Sequence, residues 1–251
     1  MTPTATIDVS AFRISIMDLR DPHIYFEVWP ACYDFTDTKL ALTDYSVNSL
    51  LEKAFVKEDN SDGTLDTNVL MVFKPLDTTG SGTLEVQYGS ACTAPLSTTV
   101  CDSTSATVFT TVYSTDTTGT CLSTLSGTVR PYSPAVTSST APCFVSGNFN
   151  LPVTFSGVAL NFKNVTVAGT LGGSPTSSIT NGLIRGFLSK TDAEAAKIPS
   201  SVAILGGKKL SSFLPGGSGN CSSHSDMDTL NGESGWWFYL NFTAGKVSYR
   251  D

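Results

Sequence analysis

Apolar and polar residues alternate along most of this chain, in short runs cut by turn residues. In 5–17 (ATIDVSAFRISIM) the apolar positions are Ile7 and Val9, then Phe12, Ile14 and Ile16, with a change of phase at Ser10-Ala11. A period of two marks a strand with one buried face, and one extra residue between two such runs is how a β-bulge reads in sequence. The same reasoning predicts strands at 24–29, 69–74, 83–88, 107–113, 151–156, 158–168 and 236–242. A last short strand, 247–249, is expected after a turn at Ala244-Gly245. Gly-, Pro- and Ser-rich stretches such as TTGSG, GGSPT and PGGSGN punctuate these runs.

Helical spacing is scarce. In 191–197, Thr191 and Glu194 have the spacing of a capping box and Pro199 stops the run; in 49–57, Ser49 and Glu52 repeat that spacing. Leu50, Leu51, Ala54 and Phe55 of the second run share one helical face. Many short strands without βα alternation predict an all-β fold, mainly antiparallel, of β-sandwich or jelly-roll-like form with one or two short helices. The chain, 1–251, reads as a single domain. Within it, 89–146 is a Ser/Thr-rich, disulfide-bonded insertion or extra sheet.

Composition narrows the function classes. The net charge is −7 with 15% charged residues, and the adjacent lysines Lys208-Lys209 stand alone, so nucleic acid, which needs clustered cations, is excluded as a partner. No apolar run reaches the roughly 18 residues of a transmembrane helix. The N-terminus has neither a basic start nor an apolar stretch, so it does not read as a signal peptide; the chain is either cytosolic or a secreted one whose leader is absent.

Six cysteines without a CxxC or zinc spacing decide for secretion to the extracellular space or cell surface. Fifteen pairings are possible. Proximity favours Cys92–Cys101 and Cys121–Cys143, which leaves Cys32–Cys221; each of the two shorter loops, once closed, stabilises by about 3 kcal/mol in the chain-entropy model.

The stretch 58–66 (EDNSDGTLD) reads E-x-N-x-D-G-x-x-D. It resembles the DxDxDG calcium loops of EF-hands, dockerins and thrombospondin type 3 repeats. The resemblance covers nine residues and implies side-chain oxygens from Glu58, Asn60, Asp62 and Asp66, with the Thr64 carbonyl, around a structural calcium ion. Calcium takes six to eight hard oxygens, which alternate residues of a tight loop can supply. The twelfth position, where an EF-hand has its bidentate glutamate, is Val69, which points to weak, structural binding. Such a run of turn residues is also what an ordinary polar turn contains.

Catalytic motifs are few. There is no G-x-S-x-G elbow and no phosphate loop at Gly206-Gly207-Lys208-Lys209. His23 and His224 are the two histidines, the latter close to Asp226 and Asp228; Glu27, Glu85 and Glu233 complete the scattered carboxylates a glycosidase reading has to draw on. Sequons stand at Asn164, Asn220 and Asn241.

In 235–242 (GWWFYLNF), Trp236, Phe238, Leu240 and Phe242 fall on one strand face and form core, while Trp237, Tyr239 and Asn241 fall on the other. Aromatic rings beside an amide suit either a sugar-binding platform, extended by Trp29, or a second layer lying over the sheet; burial is the favoured alternative. The expected role is a secreted, calcium-stabilised binding or adhesion module for a glycan or cell-surface partner. A surface or filament-forming structural protein and a secreted hydrolase are the rivals.

Overall fold

A computed structural model describes residues 8–28, 31–39, 45–58, 61–155, 157–200, 205–219, 221 and 224–250. The first elements are β1 (Ser10–Asp21), β2 (Tyr25–Val28), β3 (Ala31–Asp34) and α1 (Val47–Val56). There follow β4 (Val69–Lys74), β5 (Ser81–Tyr88), β6 (Ala91–Cys92), β7 (Val100–Asp102) and β8 (Thr107–Asp116). The middle of the chain holds β9 (Thr120–Leu122), β10 (Ser139–Thr140), β11 (Cys143–Ser146), β12 (Phe149–Phe155) and β13 (Val158–Gly172). The last are β14 (Ser178–Ser189), α2 (Lys190–Ala195), β15 (Asp228–Leu230) and β16 (Glu233–Arg250).

The fold is all-β and largely antiparallel, with two short helices. Strands β1, β4, β5, β8, β11, β13, β14 and β16 are neighbours in that order, each antiparallel to the next, and β16 pairs back onto β1 with Ala11 opposite Val247 and Leu19 opposite Leu240. The sheet therefore closes on itself as an up-and-down ring of eight strands. As in a sandwich, one face of every strand is core, but the two ends of the sheet also meet.

An eight-stranded ring is just wide enough for side chains to fill it. Phe12, Ile14, Met71, Phe73, Leu84, Val86, Tyr113, Phe144, Val165, Val167, Ile179 and Phe242 do so, all buried. Phe73 meets Phe12, Tyr113 and Phe144 edge-on, the arrangement aromatic quadrupoles favour. One end is filled by Leu19, Leu188, Trp236 and Phe238 against Phe26, Phe213 and Leu214 from outside the ring. The Trp236 indole N–H is satisfied by the Pro215 carbonyl at 2.8 Å.

Several local expectations shift. The bulge of β1 falls between Ile14 and Ile16, not at Ser10-Ala11, because Phe12 and Ile14 share one phase; the extra residue turns Ile16 outward and restores Met17 and Leu19 to the interior. No turn separates 236–242 from 247–249: Gly245 stands opposite both Arg13 and Ser178, so pairing on both sides carries the strand through it. The capping box of α1 is Ser46 with Ser49, and α2 is capped by Ser189, whose hydroxyl accepts the Asp192 N–H. Both helices begin earlier than the Ser49/Glu52 and Thr191/Glu194 spacings predict. Residues 89–146 are not simply an insertion, since β8 and β11 are members of the ring and send Phe109, Tyr113 and Phe144 inward.

All three disulfides pair as expected: Cys32–Cys221, Cys92–Cys101 and Cys121–Cys143. They point to an oxidising, extracellular-type environment. Among the described residues no helix is long and apolar enough to cross a membrane.

Candidate functional site

The outer face of β16 is covered. Residues 123–138, which form no strand of their own, lie as a strap across β14 and β16 between β9 and β10. Beneath the strap, Trp237, Tyr239, Leu183 and Phe187 are buried against Leu122, with Leu125, Val129 and Val136 of the strap packed on them. The Tyr239 hydroxyl accepts from the Leu125 N–H at 3.1 Å and bonds the Thr128 hydroxyl. Asn241 accepts from the Thr137 N–H at 2.8 Å and donates to the carbonyls of Thr137 and Gly182. The three residues read as a possible platform thus anchor a second layer, and neither rings nor amide face solvent. The Asn241 sequon is closed to modification in this fold for the same reason. Trp29 and Asn220 lie outside the described residues.

The 58–66 loop lies on the surface beyond α1. Its Glu58 carboxylate accepts the Gly63 N–H at 3.2 Å, and Asp62 Oδ1 accepts both the N–H (2.8 Å) and the hydroxyl (2.5 Å) of Thr64. Gly63 makes the turn with φ +79°, a conformation that favours glycine. Asp66 donates its backbone N–H to the Lys57 carbonyl. The Glu58 and Asp62 carboxylates are engaged within the loop, and among the described residues no three acidic, histidine or cysteine side chains are gathered to hold a metal. Asn60 lies outside the described residues.

What the sequence does not show is that both histidines meet on one tyrosine. Tyr132, in the strap, lies flat on His23 with ring centroids 3.7 Å apart, and its hydroxyl stands 2.8 Å from His224 Nε2 while donating to Asp226 Oδ2 at 2.6 Å. His23 Nδ1 donates to Asp34 at 2.5 Å; its Nε2 is buried without a partner among the described residues. Arg130 adds a guanidinium bond to Asp226 at 3.0 Å, and its backbone N–H donates to Asp21 at 2.8 Å.

Burial raises the Asp21 carboxyl to about 7, opposed by the Arg130 N–H and reinforced by Asp226. Burial likewise pushes Tyr132 far above the ordinary phenol range, aided by the carboxylate of Asp226, so it remains a neutral donor. Among the described residues neither histidine bonds a serine, threonine or cysteine, the contact a nucleophile–base pair requires. It joins the strap to the barrel end. Only the scarcity of histidine in the sequence hinted at it; Asp21, Asp34, Arg130 and Tyr132 carried no motif.

Of the carboxylates available to a hydrolase, Asp226 and Asp228 stand close to each other and to Asp21, and the others are dispersed. Glu27 is exposed on β2, Glu85 pairs with Lys74 outside the ring, Asp226 is buried on Arg130, and Glu233 pairs with Lys163.

An open cleft of about 600 Å³ is lined by Asn148, Phe149, Asn150, Lys163, Asn164, Leu230, Asn231 and Glu233. Three features build it. The entry to β12 supplies Asn148 and Asn150. The irregular pairing of β13 with β14 between Lys163 and Thr166 places Asn164 at φ +52°. The β15–β16 hairpin turns through Asn231-Gly232, both at positive φ, as a two-residue hairpin loop favours. Asn150 Oδ1 accepts the Asn164 N–H at 3.3 Å and Asn148 Oδ1 accepts the Thr166 hydroxyl at 2.7 Å, leaving both NH2 groups as donors. Lys163 Nζ binds both oxygens of Glu233, at 2.9 and 2.7 Å.

Comparison with protein-family models, with curated proteins and with solved structures yields no match for this chain.

Proposed function

We propose that the protein is a secreted binding module that takes carbohydrate in the asparagine-lined cleft, with a structural calcium ion at 58–66. The observation that supports this reading is the cleft's chemistry. Four side-chain amides, an ion pair and a half-buried ring (Phe149) surround one open depression. Amides offer paired donor and acceptor atoms to sugar hydroxyls, and a ring edge or face covers the apolar side of a pyranose. Two of the amides have their carbonyls committed to the protein, so their orientation is set before a ligand arrives, which lowers the ordering cost of binding.

The calcium reading rests on the loop's oxygen-rich composition and its glycine turn. The ion's role is to hold the surface loop beside the Cys92–Cys101 ribbon, which it already joins through the Ala94 N–H on the Gly63 carbonyl at 2.8 Å.

A glycan array run in calcium and in chelator tests both parts, with Asn164→Gly/Asn231→Gly alongside. Glycine takes φ near +50° without strain, so this pair removes two amides and spares the backbone. Binding that falls at least tenfold in the double variant, at unchanged Tm, supports the cleft. Absence of binding in every condition, or binding indifferent to the variant, overturns it. A Tm that does not move with chelator removes the calcium.

A further inference from the structure

We propose that residues 123–138 form a pH-operated strap, which is closed over the aromatic face of β14 and β16 in mild acid and lifts, still tethered by Cys121–Cys143, as the pH rises to neutrality. This does not rest on the carbohydrate reading.

The strap has the build of a movable part. It adds no strand to the barrel, and the disulfide links β9, at its start, to β11, which follows β10 at its other end. Its fixings are side chains reaching up from the barrel: Tyr239 and Asn241 from β16, Arg185 from β14 on the Ser123 carbonyl, Asp21 from the end of β1, and Asp226 ahead of β15. Local opening draws on such segments, with few backbone bonds to the rest of the fold.

Asp21 makes the closure sensitive to protons. It is 1% exposed, and the Arg130 backbone N–H of the strap caps its carboxylate. The groups that face it are Asp226 and Asp228 from the β15 side, His23 beyond the end of β1, Tyr25 of β2, and Tyr239, its partner in β16. Behind them His23 bonds Asp34, Tyr132 meets His224 and Asp226, and Arg185 faces Tyr239. The Arg130 guanidinium is turned away to Asp226 and the Ser225 carbonyl. A carboxylate covered in this way, beside two other aspartates, keeps its proton; lifting the strap returns it to water, where it ionises.

Opening therefore releases up to one proton between about pH 4, the ordinary aspartate value, and about pH 7, the covered value. Over that window the opening equilibrium rises about tenfold per pH unit. Lifting uncovers Trp237, Phe187 and Tyr239, with Arg185 5.8 Å from the Trp237 ring.

Hydrogen exchange on the intact, oxidised protein tests this at pH 5, 6, 7 and 8, after correction for intrinsic rates. Protection at Leu125, Arg130 and Thr137 should fall about fiftyfold between pH 5 and 7, since the closed form is itself half ionised at pH 7, while β13 and β14 amides hold. Asp21→Asn, which keeps a neutral acceptor for the Arg130 N–H, should flatten that dependence. Should the variant fail to fold, carboxyl-carbon NMR of aspartate-labelled wild type replaces it, with one aspartate expected to titrate near neutrality. Equal strap protection across the range, an unchanged slope in Asp21→Asn, or no aspartate titrating near neutrality overturns the proposal.

Discussion

Arg13 Nη2 lies 2.6 Å from the Phe55 carbonyl, in the last turn of α1, so a cation on the first strand closes the end of the first helix. The same guanidinium reaches the Thr67 carbonyl (3.0 Å), the Ile14 carbonyl (3.3 Å) and Asn68 Oδ1 (2.6 Å). It is 3% exposed, and burial brings it down to about 10. The last carbonyls of a helix carry partial negative charge and lack helical partners, which is what this buried cation supplies.

Arg13→Ala strands four acceptors and is expected to cost about 3 kcal/mol, lowering Tm by roughly 6–12 °C. Arg13→Lys should recover little of this, because one ammonium lacks the planar fork that spans these acceptors. Thermal unfolding by circular dichroism reads both.

Stability should depend on pH through Asp21. Its folded value of about 7 stands above the unfolded value, so the folded chain holds a proton that the unfolded chain loses. Asp21's contribution is whole below about pH 4 and declines as the pH rises to about 7, by roughly 2–4 kcal/mol. Asp34 acts in the opposite sense: burial alone raises it, but the His23 and Thr36 hydrogen bonds bring it below the ordinary value. Its contribution is present above the unfolded pKa and lost as the pH falls. Urea midpoints at pH 4.5 and 7.5 separate the two, since Asp21→Asn should gain on wild type only at the higher pH.

Tyr239→Phe removes the hydroxyl that meets Leu125 and Thr128 and leaves a strap N–H without its partner. A loss of about 1–3 kcal/mol is expected. A red shift in tryptophan emission should accompany it as Trp237 gains water; an unmoved spectrum would show that the hydroxyl does not hold the strap.

Replacing Cys121 and Cys143 by alanine reopens a loop whose ends are 22 residues apart, with an expected cost of about 3 kcal/mol. The strap should exchange faster than in wild type at every pH, as followed by mass spectrometry.

The strands were readable because side-chain alternation is local: Phe12/Ile14 and Trp236/Phe238/Leu240/Phe242 face inward as their parity demands. The disulfides were readable because two of the three pairs close short loops. Ring closure was not, since the β1–β16 pairing joins segments some 230 residues apart and leaves no trace in either. The Trp237 face was readable only as an alternative: parity tells which rings share a side, not whether Leu125, Val129 and Val136 lie on them. The asparagine cleft was not readable, because Asn148, Asn150, Asn164 and Asn231 are turn and bulge residues taken singly. Only the folded ring assembles them.

A ring of strands has to hold at its narrowest member. Here that member is β11, four residues long against eighteen for β16. Cys143 begins it, and the bond to Cys121 rivets this shortest stave to the β9 segment outside the ring. Under reducing conditions the hoop should therefore part beside β11 first, with Phe144 and Val145 the earliest barrel amides to exchange and the Phe73–Phe144 contact the first of the interior to open. The cross-link that tethers the strap would then also be what keeps the barrel shut.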